Sequence, residues 1–145
     1  MIDLVDAVIS RLRDLVPALV SVEGCLDFAS MVEKGVLPPA TPVAFVLWST
    51  LTAGVNKVLG GGHSQPLTER ISVVVVVRAG NDARGDGKRQ VMTPLRGGLI
   101  QALAGWRPVT GCGPFNFVAA RLIGVANGAA FFDFSFQTTW ELTNG

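Results

Sequence analysis

One histidine and two cysteines are all that this chain offers to a soft metal or a redox centre. Cys25 and Cys112 stand far apart with no CxxC pair, and a single imidazole cannot complete the usual zinc ligand sets. Both thiols therefore read as small buried hydrophobes, and neither a disulfide framework nor a metal or other cofactor is expected. Charge is scarce as well. Only 16% of residues are Asp, Glu, Lys or Arg, and they cancel to a formal net charge of +1. A nearly neutral chain lacks the basic surface that holds nucleic acid through many phosphate contacts, so DNA is expected to pass it without specific binding. Long apolar runs are missing too. The valine run at residues 73–77, like every other, falls far short of the roughly 20 residues of a membrane-spanning helix. The first turns carry Asp3 and Asp6 rather than the basic and then apolar layout of a signal peptide. The expectation is a chain with no membrane segment that stays in the cytoplasm where it is made.

What is present suits one globular unit. Apolar residues make up 49% of 145, too many for a disordered tail. A chain of this length buries about two thirds of its extended surface around one core. Residues 1–145 read as a single domain, and the apolar excess suggests that partner subunits cover part of the surface.

Ile2, Val5, Ile9, Leu12 and Val16 recur at three- and four-residue spacing and predict an amphipathic helix ending before Pro17. Asp3 is placed to cap it, and Arg11 and Arg13 lie near its negative end. An extended piece at 19–22 leads to a second helix carrying Leu26, Ala29, Met31 and Val32, with Gly35 as its cap. Residues 43–48 and 67–79 have strand composition, and the valine run 73–77 is apolar on both faces, the mark of a central strand. Between them, residues 50–65 are too long and too rich in glycine for an ordinary hairpin turn, and read as a flexible arm. Residues 81–88 form a polar loop, followed by Val91, Leu95, Leu99 and Leu103 at helical spacing. Gly97 and Gly98 inside that helix cost about 1 kcal/mol each relative to Ala, which suggests close packing on the sheet.

The C-terminal pattern is the clearest. Phe132, Phe134, Phe136, Trp140 and Leu142 alternate with Asp133, Ser135, Gln137, Thr139 and Glu141, so one strand face is core and the other meets water or a partner. Asn127-Gly128 predicts a type I′ turn pairing this strand with residues 117–125. The expected class is α+β: a mostly antiparallel sheet of four or more strands with helices packed on one face.

Catalytic signatures are weak. His63 follows three glycines, but no G-x-S-x-G elbow accompanies it, leaving a small enzyme around His63 and Glu69 as a minor reading. Gly80 and Gly85 have phosphate-loop spacing, yet Asp86 stands where the lysine is needed. Arg84-Gly85-Asp86 spells an adhesion tripeptide too short to carry weight. Asp133 and Glu141 share a strand face about 27 Å apart, too far for a carboxylate pair. Arg78, Arg84, Lys88 and Arg89, offset by Asp82 and Asp86, read as a mixed-charge contact loop rather than a polyanion site.

These residues carry a family resemblance. Glu69-Arg70 before the valine strand, Arg78, the loop Asn81-Asp82-Ala83-Arg84-Gly85, and the helix end Leu103-Ala104-Gly105-Trp106-Arg107-Pro108 resemble the middle of phage tail terminator (tail completion) proteins of the Mu-like group. Val22-Glu23-Gly24 with Leu26-Asp27-Phe28-Ala29 is similar to the segment after their first helix. The aromatic strand at 131–142 is similar to their terminal strand, Phe131-Phe132 standing where a tryptophan pair often occurs. The arm at 51–64 departs from the pattern.

The resemblance implies a virion structural protein, not an enzyme: a ring of six copies on the head-proximal end of the tail tube that stops tube growth and offers a surface for head joining. Its implied partners are further copies of itself, the tail tube protein, and a head-completion or connector protein, with DNA passing through the channel. Another head-tail connector or head-closure protein would leave similar traces. Subunit or tube contacts are then expected at Lys57 and His63 on the arm, and at Arg70 where the valine strand begins. They are also expected at Asp82, Arg84, Asp86 and Lys88 in the charged loop, and at Asp133 on the polar strand face.

Overall fold

The computed structural model describes residues 3–78 and 86–144, the side chains of 86–90 and 144 excepted. The first helix, α1 (Leu4–Leu15), starts where Asp3, in extended backbone, accepts the amide of Val5 at 2.9 Å, satisfying a donor that the helix itself cannot. Its innermost residues are Leu4, Val8 and Leu12. Val5 and Ile9 lie beside them as partly buried neighbours. The apolar stripe is thus wider than the expected one and is centred a residue earlier, as happens when a helix docks on a flat surface rather than a narrow seam.

Strand β1 (Ser21–Glu23), helix α2 (Cys25–Lys34) and strand β2 (Val43–Ala53) form a crossover unit in which β1 runs parallel to β2, Ser21 opposite Val43. Parallel neighbours require such a connection, because a tight turn cannot join them. Gly35 closes α2 at φ 67°, its amide reaching Met31 O at 3.0 Å, in the left-handed region that glycine enters without strain. Strand β3 (His63–Arg78), helix α3 (Asp86–Leu103), strand β4 (Asn116–Ala126) and strand β5 (Ala129–Asn144) complete the fold. The sheet order is β1-β2-β3-β5-β4, with every pair after the first antiparallel. Asn127 and Gly128 both have positive φ, 52° and 78°, as a type I′ hairpin demands.

The α+β class and the central valine strand are present as expected. Val73, Val75 and Val77 join Phe134 and Phe136 in the main core under α1 and α3, while Val74 and Val76 face a second cluster with Val43 and Phe45. Phe28 and Met31 of α2 pack on that second cluster, Phe28 meeting Phe45 edge-on at 5.3 Å between ring centres. So α1 and α3 share one face, and α2 covers part of the other.

Three expectations need correction. Helix α3 begins at Asp86, so residues 86–88 are helix rather than loop; residues 81–85 lie outside the described residues. Gly97 packs against nothing: a Cβ built there meets no atom within 4 Å, and at Gly98 the nearest is Cγ1 of Val16, the residue that caps α1, not the sheet. Finally, strands β2 and β3 run on into the segment read as an arm. Residues 50–53 and 63–65 are paired strand, leaving only 54–62 as connecting loop.

Candidate functional site

Strands β3 and β5 are paired along their whole length, from Arg78 opposite Ala129 to His63 opposite Asn144. Only part of that length lies over helices. The burial of β2 stops at Leu47, and residues 48–53 are exposed. Residues 50–53 of β2 pair with 67–70 of β3 and these with 137–140 of β5, and beyond Leu67 only 63–66 of β3 and 141–144 of β5 continue, so a ribbon that narrows from three strands to two extends past the helical layer. From Thr68 to His63 it reaches about 17 Å at the usual strand rise.

A buried carboxylate sits at the ribbon's base. Glu69 is 8% exposed, and its two oxygens accept the indole N–H groups of Trp48 and Trp140, each at 2.8 Å. The contact ties β2, β3 and β5 together where the helical layer ends. A carboxylate withdrawn from water needs such donors, and charge-assisted bonds are the stronger kind. Period-2 alternation could have found it, because Leu67, Glu69, Ile71 and Val73 share one side of β3. Its partners, 21 and 71 residues away in sequence, left no local signal. Glu69 and His63 form no pair: the His63 ring Nε2 meets Gln65 Oε1 at 3.0 Å.

The loop is held to the ribbon at several points. Gly54 N donates to Pro66 O and Lys57 N to Ser64 O, both at 2.7 Å. Asn56 Oδ1 accepts the amides of Val58 and Ser64. Ser64 Oγ donates to Glu141. At the tip, Leu59 is 95% exposed and Val55 is nearly as bare, an apolar end on a polar stalk.

The candidate contact residues are scattered. Lys57 is exposed on the loop, and His63 is half-buried at the first residue of β3. Arg70 is half-buried and donates to Gln137 Oε1 of the neighbouring strand at 3.1 Å. Asp86 and Lys88 lie in the first turn of α3, and Asp82 and Arg84 lie outside the described residues.

Asp133 contradicts the expected polar strand face. It is 8% exposed, and Ser135 on the same face is buried too. The reason is topological: β5 is flanked by β3 and β4 rather than lying at an edge. Leu142, expected in the core, is instead exposed on the ribbon. Asp133 Oδ2 lies 3.7 Å from Arg121 Nη2, and Oδ1 is buried without a hydrogen-bond partner among the described residues.

The edge on this side of the sheet is β4, where ten of the positions 116–126 are exposed and the remaining one, Gly124, is half-buried. Phe117, Val118, Leu122, Ile123 and Val125 are bare apolar side chains there. Among the described residues no cluster of His, Cys, Asp and Glu could hold a metal ion, and no helix is long and apolar enough to cross a membrane.

No curated protein sequence matches the chain. Among solved structures, a chain from the virion of a native gene transfer agent particle has the same fold, with a TM-score of 0.54 at 15% identity over 94% of this chain and 93% of that one. The phage tail terminator protein model matches residues 1–144. The chain therefore belongs to the phage tail terminator family and is a structural protein of the phage tail.

Proposed function

We propose that the chain assembles as a ring of six copies on the head-proximal end of the tail tube, where it ends tube growth and presents a surface for head joining. The observation that carries this reading is the family match along nearly the whole chain, residues 1–144. The ribbon supplies the means. It is braced at its base by Glu69 and ends in the exposed Val55, Val58 and Leu59, an apolar tip set to bury itself against another protein. Lys57 and His63 flank that tip and contact the tube protein. The tip at 59–61, beyond the contacts that hold 54–58 to the ribbon and with open space around Gly60 and Gly61, is mobile in the free protein and orders on the tube, so part of the contact energy is spent on ordering. A head-completion or connector protein joins the opposite surface, and DNA traverses the channel without specific binding. Assembly takes place in the host cytoplasm.

The test is incubation with purified tail tubes followed by negative-stain imaging. Rings at one end of each tube, together with loss of protease cleavage at 54–62, are the expected result. Decoration along the tube length, or copolymerisation with the tube protein, would show a tube component instead.

A further inference from the structure

We infer that the bare edge strand β4 of one copy is covered by helix α2 of the next. The inference rests on the ring reading above and names the two surfaces that close the ring. Strand β4 carries exposed Phe117, Leu122, Ile123 and Val125, and is the last strand of the sheet. Its pairing with β5 shifts register between Phe117 and Ala119 and again between Leu122 and Gly124. These two bulges twist the edge and interrupt its row of free backbone groups, which makes it a poor template for an added strand. What suits it is a surface that packs by side chains, and a helix laid along the edge does so.

Helix α2 offers such a surface. None of its residues is fully buried; Phe28 and Met31 are its contacts with the sheet. Leu26, Ala29, Val32 and Glu33, at i, i+3, i+6 and i+7, form a stripe away from that contact line. Leu26 is 85% exposed, and Val32 is also bare. Charge complements the apolar match. Arg121 is the only charged residue of β4. Its side chain is 72% exposed, and its one ion-pair contact among the described residues, with Asp133, is long at 3.7 Å. Glu33 lies in the α2 stripe and has no ion pair among the described residues.

Position makes the match usable. Helix α2 packs over the β1–β2 end of the sheet, and β4 is the opposite edge. Two different patches on opposite edges meet head to tail between copies, which is how a cyclic ring closes.

The test uses two exposed-site variants, Val125→Asp on β4 and Leu26→Asp on α2, whose folding is checked by circular dichroism. Native mass spectrometry follows each alone and both mixed, and ring density at tube ends is scored in parallel. Neither variant alone should form the wild-type assembly. Mixed in equal amounts they should give a heterodimer and stop there, since the pair retains one intact contact and two spoiled ends. Rings formed by both variants as by wild type would overturn the surface assignment and leave the ring reading intact. A Leu26→Asp dimer beside a Val125→Asp monomer would show β4 meeting β4 and also overturn it. Wild type that stays monomeric both free and on tubes would remove the ring reading, and this inference with it.

Discussion

Replacing Glu69 puts the brace of the ribbon to a quantitative test. Hydrogen bonds to a charged group contribute about 1.5–3 kcal/mol each, and a buried donor left unpaired costs about 1–3 kcal/mol. The two indoles differ in what they lose. Trp48 is 55% exposed, so its N–H can turn to water, whereas Trp140 is 9% exposed and has no such exit. Glu69→Gln keeps one carbonyl oxygen, which serves Trp140, and sets an amide N–H₂ against the other indole; the expected cost is about 1–2 kcal/mol. Glu69→Ala removes both acceptors and orphans the Trp140 donor, at an expected cost of about 3–4 kcal/mol. Trp48→Phe, which removes one half-exposed donor, should cost about 1 kcal/mol or less. Urea unfolding followed by tryptophan emission measures all three, and the Glu69→Ala loss corresponds to a fall in Tm of about 10 °C for a chain of this size. Hydrogen exchange adds a spatial readout: amides of 50–53 and 63–68 should lose protection in Glu69→Ala before those of 73–77 do. A cost for Glu69→Ala below about 0.5 kcal/mol, or no greater than that of Trp48→Phe, would refute the assignment of the carboxylate as the ribbon's brace.

Gly97→Ala should stabilise the protein by about 1 kcal/mol, because Gly97 lies exposed inside α3 with open space at its Cβ position; a thermal melt higher by about 2–4 °C is the check. Asp133→Asn should cost less than about 1 kcal/mol or raise stability, since it removes a buried charge whose Oδ1 has no partner among the described residues; urea midpoints of the two proteins decide it. Leu59→Asp should leave stability within about 0.5 kcal/mol, as surface changes do, yet abolish decoration of tube ends in negative-stain images.

The elements that sequence reading locates well are those whose signal is local. Asp3 and Gly35 cap helices because a short carboxylate and a side-chain-free residue suit those backbone positions, and Asn127-Gly128 turns because both positions take positive φ. Alternation along 132–140 correctly orders Phe134, Phe136 and Trp140 toward the core. The same alternation fails for Asp133, Ser135 and Leu142, because period 2 reports which side a residue faces and not what lies there. What lies on each side depends on β3 and β4 flanking β5 and on where the helical layer ends, contacts between segments far apart in sequence. Glycines misled for a related reason. Gly54 and Gly62 suggested a loose arm, yet a Cβ at Gly54 would stand 2.7 Å from Pro66 Cγ, and one at Gly62 would stand 2.8 Å from Val58 Cγ1. There glycine permits close approach within a hairpin rather than freedom.

The same limit governs the assembly surfaces. Low charge and high apolar content suggest partners without saying where they bind, and the bare apolar side chains of β4, α2 and the ribbon tip are the surfaces that the proposed ring and tube contacts use. One patch lies on the β4 edge, one on the helix packed over the opposite end of the sheet, and one at the end of its longest strands. A chain that only had to fold could have made each of them polar at little cost, because none supports the core. The proposed assembly, with two lateral contacts and one axial contact, would account for all three. This separates two classes of variant that stability measurements alone would confuse: those at Glu69 should weaken the fold first, and those at Leu26, Leu59 and Val125 should weaken only the assembly.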